Sequence, residues 1–302
     1  MRIIAIIFVC LCLFLPAGPA FGQIGDAAMV VDLSGTSVYE SGSEKGNQVE
    51  LMDFLAKGDV IRLEEGARLV LNYFASGLRE EIDGPGQITI DLEQSRNDQK
   101  VAIKSSKVEF VPSQAQVQVG DAQHTGVVAL RSPPPMVPPL TASLNPNHTA
   151  LRGLPIALQW EPQPGVSRYA VVVADVLEDV VFKTETDSTQ VVVEKTDIKS
   201  GEEYVWKAQD AGAPELGLEG QARFYLLSPE KLSELSHTEA YIKKTYKEGS
   251  SEALIALAML YKKYELNAEA KTVLAELLEA NPRNRNINRH MESLGNNYHP
   301  GS

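Results

Sequence analysis

The residues in this chain of 302 that could do chemistry are its histidines, its clustered carboxylates and its aromatic side chains. The five histidines are His124, His148, His237, His290 and His299. No two have the helical spacing that presents a pair of imidazoles to one metal ion, and none stands beside a cluster of acids. Serines are numerous, but no Gly-x-Ser-x-Gly elbow marks one as a nucleophile, and no Gly-rich loop cradles a phosphate. Glu80, Glu81 and Asp83 lie close together before a turn, and Glu64-Glu65 lies in another. A paired-carboxylate glycosidase site or a calcium site is built from such groups. Adjacent acids in turns are more often simply solvated, and that is the expectation here. The sequence therefore points to no catalytic residue, no metal ligand and no cofactor.

Trp160, Tyr169, Tyr204 and Trp206 carry the other candidate chemistry. Exposed together, they would offer a stacking face for a sugar, with Trp160 and Trp206 as its platform. Buried together, they would be the core of a β sandwich. The formal charge of −12 repels nucleic acid and anionic lipid as a whole, and no Lys/Arg cluster interleaved with aromatics reverses this locally.

The first residues read as an address rather than as part of the fold. Arg2 supplies a positive start, residues 3–15 are almost wholly apolar, and Pro16, Gly18 and Pro19 break the run. Ala20-Phe21-Gly22 then sets small residues at the positions a signal peptidase requires. The run is shorter than the roughly 20 apolar residues of a spanning helix. Cleavage after Gly22 is expected, with retention as an anchor the alternative. Cys10 and Cys12, the two cysteines of the chain, lie within this run, so the mature protein would contain no thiol. Removing residues 1–22 removes Arg2 and no acid, which takes the charge from −12 to −13.

Three compositional regimes follow. Residues 24–112 read as short strands, with candidates at 28–33, 60–63, 68–74, 78–82, 87–92, 101–103 and 108–111, punctuated by Gly and Asp-Gly turns. Residues 150–227 read as six more strands about ten residues apart. Between them, Pro133-Pro134-Pro135 and Pro138-Pro139 favour an extended polyproline rod, so 113–146 is expected to be a semi-rigid spacer, with one or two short strands not excluded. From Ser228 the pattern turns helical. Ser228-Pro229 is an N-cap followed by proline at the first helical position, Gly249-Ser250-Ser251 is a break, and Asn281-Pro282 is a stop.

The first strand region resembles the FecR-like domain of bacterial envelope proteins. The resemblance is carried by Gly35, Leu51, Leu55, Gly58-Asp59-Val60-Ile61, Ala67, Leu69-Val70-Leu71, Gly77 and Gly84-Pro85-Gly86. The second resembles a bacterial immunoglobulin-like or fibronectin type III domain, on Leu158-Gln159-Trp160, Tyr169 and Gly201 to Trp206. Leu257-Ala258, Tyr261, Ala270, Leu274 and Pro282 fall in the register of a tetratricopeptide repeat, although Leu254 replaces its usual tryptophan and Glu265 its usual turn glycine.

The expected fold is multidomain and mainly β. It has a signal peptide (1–22), a FecR-like β domain (23–112), a Pro-rich linker (113–146), an immunoglobulin/fibronectin-like sandwich (147–227) and a short tetratricopeptide-like helical segment (228–302). The two β regions are expected to fold independently across the linker. A solenoid needs about three repeats, so the helical segment looks incomplete. Leu254 and Leu266 are its candidate partner-docking residues, unless flanking helices or the second β region cover them. FecR-like domains imply signal relay across the envelope, typically in sigma-factor pathways. This chain departs from that arrangement, with no cytoplasmic segment and no spanning helix after the signal. The expectation is a non-enzymatic interaction or scaffold protein of the periplasm or cell surface, with an envelope protein as partner. A carbohydrate- or peptidoglycan-binding protein is the alternative.

Overall fold

The computed structural model describes residues 26–41, 44–97, 101–108, 144–194, 197–212 and 221–296. The N-terminal apolar run and the proline run lie outside the described residues.

Nine strands form the first β unit: β1 (Asp26–Ser34), β2 (Ser37–Tyr39), β3 (Phe54–Ala56), β4 (Val60–Leu63), β5 (Arg68–Tyr73), β6 (Leu78–Asp83), β7 (Gly86–Ile90), β8 (Ser95–Asn97) and β9 (Ala102–Lys107). They make a five-stranded sheet in the order β3-β1-β5-β6-β9 and a four-stranded sheet in the order β2-β4-β7-β8, every pairing antiparallel. Ile61, Leu63, Ile88 and Ile90 from the smaller sheet share one core with Leu69, Leu71 and Ile82 from the larger. Gly35 is one position where glycine is required. It has φ +71°, and a Cβ there would lie 2.8 Å from the Ala67 Cα.

Strands β1 and β5 depart from the alternation of a half-exposed sheet. Residues Ala27–Val31 and Leu69–Tyr73 are buried without a break. A continuous buried and almost wholly apolar run, broken only by Asn72 on β5, marks a strand covered on both faces. The cover comes from the C-terminal helices.

Seven strands form the second β unit: β10 (Thr149–Leu151), β11 (Ile156–Gln159), β12 (Tyr169–Asp175), β13 (Val180–Thr186), β14 (Gln190–Val193), β15 (Glu203–Asp210) and β16 (Ala222–Leu226). The larger sheet runs β10-β16-β15-β12-β13, with β10 parallel to β16, and the smaller pairs β11 with β14. Their shared core holds Leu158, Trp160, Tyr169, Val173, Trp206 and Phe224. This unit begins earlier than the expected boundary at 147. Leu144 belongs to its core, Asn145 bridges to Gln159, and the Pro146 carbonyl accepts the Trp206 indole N–H at 2.7 Å.

Four helices close the described chain: α1 (Pro229–Thr245), α2 (Ser251–Lys263), α3 (Asn267–Ala280) and α4 (Arg285–Asn296). The Ser228 and Ser250 side chains cap α1 and α2 by accepting from the Lys231 and Ala253 amides. Among the described residues, no helix is long and apolar enough to cross a membrane.

The helices are shared between the β units. Leu254, Ile255, Ala258, Met259, Leu274, Leu277 and Ile287 belong to the same buried cluster as the core of the first unit. The opposite side of the helical unit buries Leu235, Ile242, Leu260, Leu266 and Ala270 with Ala150 and Leu227 of the second unit and Val108 at the end of the first. The two β regions, expected to fold independently across the linker, both pack against the same helices.

Candidate interaction surfaces

Two junctions hold the helical unit. At the first, the loop before β3 meets the start of α4. Asn284 donates to the Leu51 carbonyl at 3.0 Å, and Asn286 to Asp53 Oδ1 at 2.7 Å. Glu50 accepts from the backbone and side chain of Arg285 at 3.0 and 3.1 Å. A carboxylate at a helix N-terminus satisfies an otherwise orphaned amide and meets the positive end of the helix dipole. Asp53 also accepts from the Tyr39 hydroxyl and the Glu50 amide at 3.0 and 2.7 Å; burial raises its pKa, and the hydrogen bonds oppose that rise. Further along, Arg79 on β6 pairs with Glu252 in the first turn of α2.

At the second junction, the turn between α2 and α3 meets β10. Glu265 takes φ +58°, a conformation glycine adopts more readily, where the repeat pattern has its usual glycine. Its carbonyl accepts from the Ala150 amide at 2.8 Å and the Thr149 hydroxyl at 3.1 Å. Arg152 forks onto Glu239 at 2.6 and 3.2 Å, reaches Glu269 at 3.3 Å and lies over the Tyr261 ring.

These junctions correct the docking expectation. Leu254 and Leu266 are both buried inside the chain, Leu254 in the cluster shared with the first β unit and Leu266 in the cluster shared with the second. The helical unit is covered on opposite sides by β sheets of its own chain.

The stacking platform is corrected as well. Trp160 and Trp206 are buried, 6.4 Å apart between ring centroids, and Trp160 meets Tyr169 edge to face at 5.4 Å. Neither indole offers a face to a sugar.

The acids before the turn at Gly84 divide between the two faces of β6. Glu81 points outward to Arg68, Arg79 and Lys104. Glu80, expected to be solvated, is 2% exposed and accepts the Ser95 amide at 3.0 Å, next to a Tyr73–Ser95 hydroxyl contact of 2.7 Å. Burial raises its pKa. Successive side chains on a strand point to opposite faces, so two acids adjacent in sequence cannot share an environment. Among the described residues, no group of three or more His, Cys, Asp or Glu side chains is placed to hold a metal ion. The Lys262 amine and His290 Nδ1 meet at 3.0 Å between α2 and α4. Burial lowers the Lys262 pKa to about 8, and burial with the nearby Lys262 and Arg289 charges lowers that of His290 to about 3.

Among the described residues, part of the outer face of the five-stranded sheet in the second unit is left uncovered. The helices take its β10–β16 edge, where Tyr225 packs beside Leu232 and Lys231. Strands β15, β12 and β13 bear a shallow cavity of about 500 Å³ of mixed charge, lined by Val172, Ala174, Lys183 and Lys207 and, toward the hairpin, by Asp175 and Glu178. Val172 faces Lys183 on one neighbouring strand and Lys207 on the other. No carboxylate among the described residues lies within ion-pair distance of either lysine, whereas Arg223, also on this face, pairs with Glu203 at 3.5 Å. Beside the cavity, the β12–β13 hairpin exposes Val176, Leu177 and Val180 at 60%, 79% and 58%. The reading of the sequence overlooked this face. Its signal was small residues alternating on β12 (Ala170, Val172, Ala174) between strands that carry outward lysines.

No protein-family model matches the chain, and no curated protein matches it.

Proposed function

We propose that this protein is an exported, non-catalytic interaction or scaffold protein of the bacterial envelope. In this reading the first unit is a FecR-like domain, the second an immunoglobulin/fibronectin-like sandwich, and the helices a tetratricopeptide-like brace between them. The observation that carries it is the use of the helical unit. Its opposite sides are occupied by β sheets of the same chain, so it fixes two sandwiches together. Rigid presentation of a binding face lowers the ordering cost of association, which suits a scaffold. A partner is expected to be an envelope protein held by the β units. The buried indoles of Trp160 and Trp206 favour this over a glycan reading.

Export is tested by producing the full chain in a Gram-negative host, fractionating the cells and taking intact masses. The expected result is a periplasmic or surface protein beginning within a few residues of Gln23. Full-length protein confined to the cytoplasm overturns the envelope assignment. Scaffold action is tested by crosslinking in the envelope fraction; recovery of the chain with no protein attached overturns it.

A further inference from the structure

We draw no further inference here: the strongest candidate, the uncovered outer face of β15, β12 and β13 in the second β unit, sets Asp175 and Glu178 beside Lys183 and Lys207 in one cavity, so its charge selects no occupant and nothing in the structure shows what covers it.

Discussion

Arg79 and Glu252 are 173 residues apart in sequence and meet in a two-pronged ion pair, Nε to Oε1 at 2.5 Å and Nη2 to Oε2 at 3.0 Å. Their side chains are 17% and 14% exposed, so the pair is partly shielded from water and salt. It bolts β6 of the first unit to the first turn of α2. Arg79 also reaches Glu81 at 3.4 Å, so its charge keeps some support if Glu252 is lost. Glu252→Gln should therefore cost about 1.5–3 kcal/mol in urea unfolding, the range for a hydrogen bond to a charged group. A double-mutant cycle with Arg79→Met should give a coupling of at least about 0.5 kcal/mol. A coupling near zero would show that the pair is a surface contact without a clamping role.

Glu80 makes the opposite prediction about charge. It is buried in β6, it accepts from the Ser95 amide, and no cation among the described residues is paired with it. Its folded pKa is raised above the ordinary 4.5, so the folded state resists ionisation. Stability from this group is fully present below pH 4.5 and is lost as pH rises through the folded pKa. Glu80→Gln keeps the acceptor and removes the charge. It should raise the Tm at pH 7, with the gain fading as pH falls through 4.5. A Tm at pH 7 equal to or below that of the parent would refute the penalty.

The difference between Glu80 and Glu81 illustrates what the sequence discloses and what it withholds. Turn residues mark strand ends well: Val60–Leu63 lies between Gly58-Asp59 and Glu64-Glu65-Gly66, where the punctuation puts it. The helices likewise begin at Ser228-Pro229 and Ser250, because capping chemistry is local. Strands β2, β3, β8 and β10 went unread, since three residues carry no period. Strand β10 exists through pairing with β16 and the helix turn at Glu265, contacts more than seventy residues distant in sequence. The apolar faces around Leu254 and Leu266 are visible in the sequence, but what covers them is a tertiary fact. Met29-Val30-Val31 and Leu69-Val70-Leu71 were the available hint, because continuous runs imply two covered faces. Lys183 and Lys207 stayed hidden for the converse reason: alternation shows which residues share a face, and not which face is left open.

Acid should loosen the packing of α2 against α4. His290 is buried with the Lys262 amine on Nδ1, and its pKa is lowered to about 3 from 6.5. The charged groups facing it are Lys262 and Arg289, both of which disfavour the imidazolium. A base with a depressed folded pKa binds protons first in the unfolded chain, so its share of stability is present above pH 6.5 and is lost as pH falls from there toward 3. His290→Gln retains an acceptor for Lys262 without a titrating ring. Between pH 7 and pH 4, the stability of this variant should fall less than that of the parent, measured by urea midpoint. Parallel curves would assign the acid sensitivity elsewhere.

A chain ending at Leu227 should lose the first β unit and keep much of the second. Strands β1 and β5 are buried on both faces, and the outer cover includes Ile255, Met259 and Leu277 of the helices. Without the helices this apolar surface meets water, at about 1.5–3 kcal/mol for each large side chain uncovered. A handful of such residues consumes the roughly 5–15 kcal/mol that holds a domain folded. The second unit loses cover only along β10 and β16, at Ala150 and Leu227, and keeps its own core around Trp160 and Trp206. Both tryptophans of the chain lie in that core, so indole fluorescence reports the second unit alone. The truncated chain should still show a cooperative tryptophan transition in urea at a lowered midpoint. Its far-UV signal should lose the β contribution of the first unit, and it should bind a hydrophobic dye that the full chain ignores. If the truncated chain instead binds no dye and unfolds at the parent midpoint by both signals, the helices add nothing to the β units, and the brace is refuted.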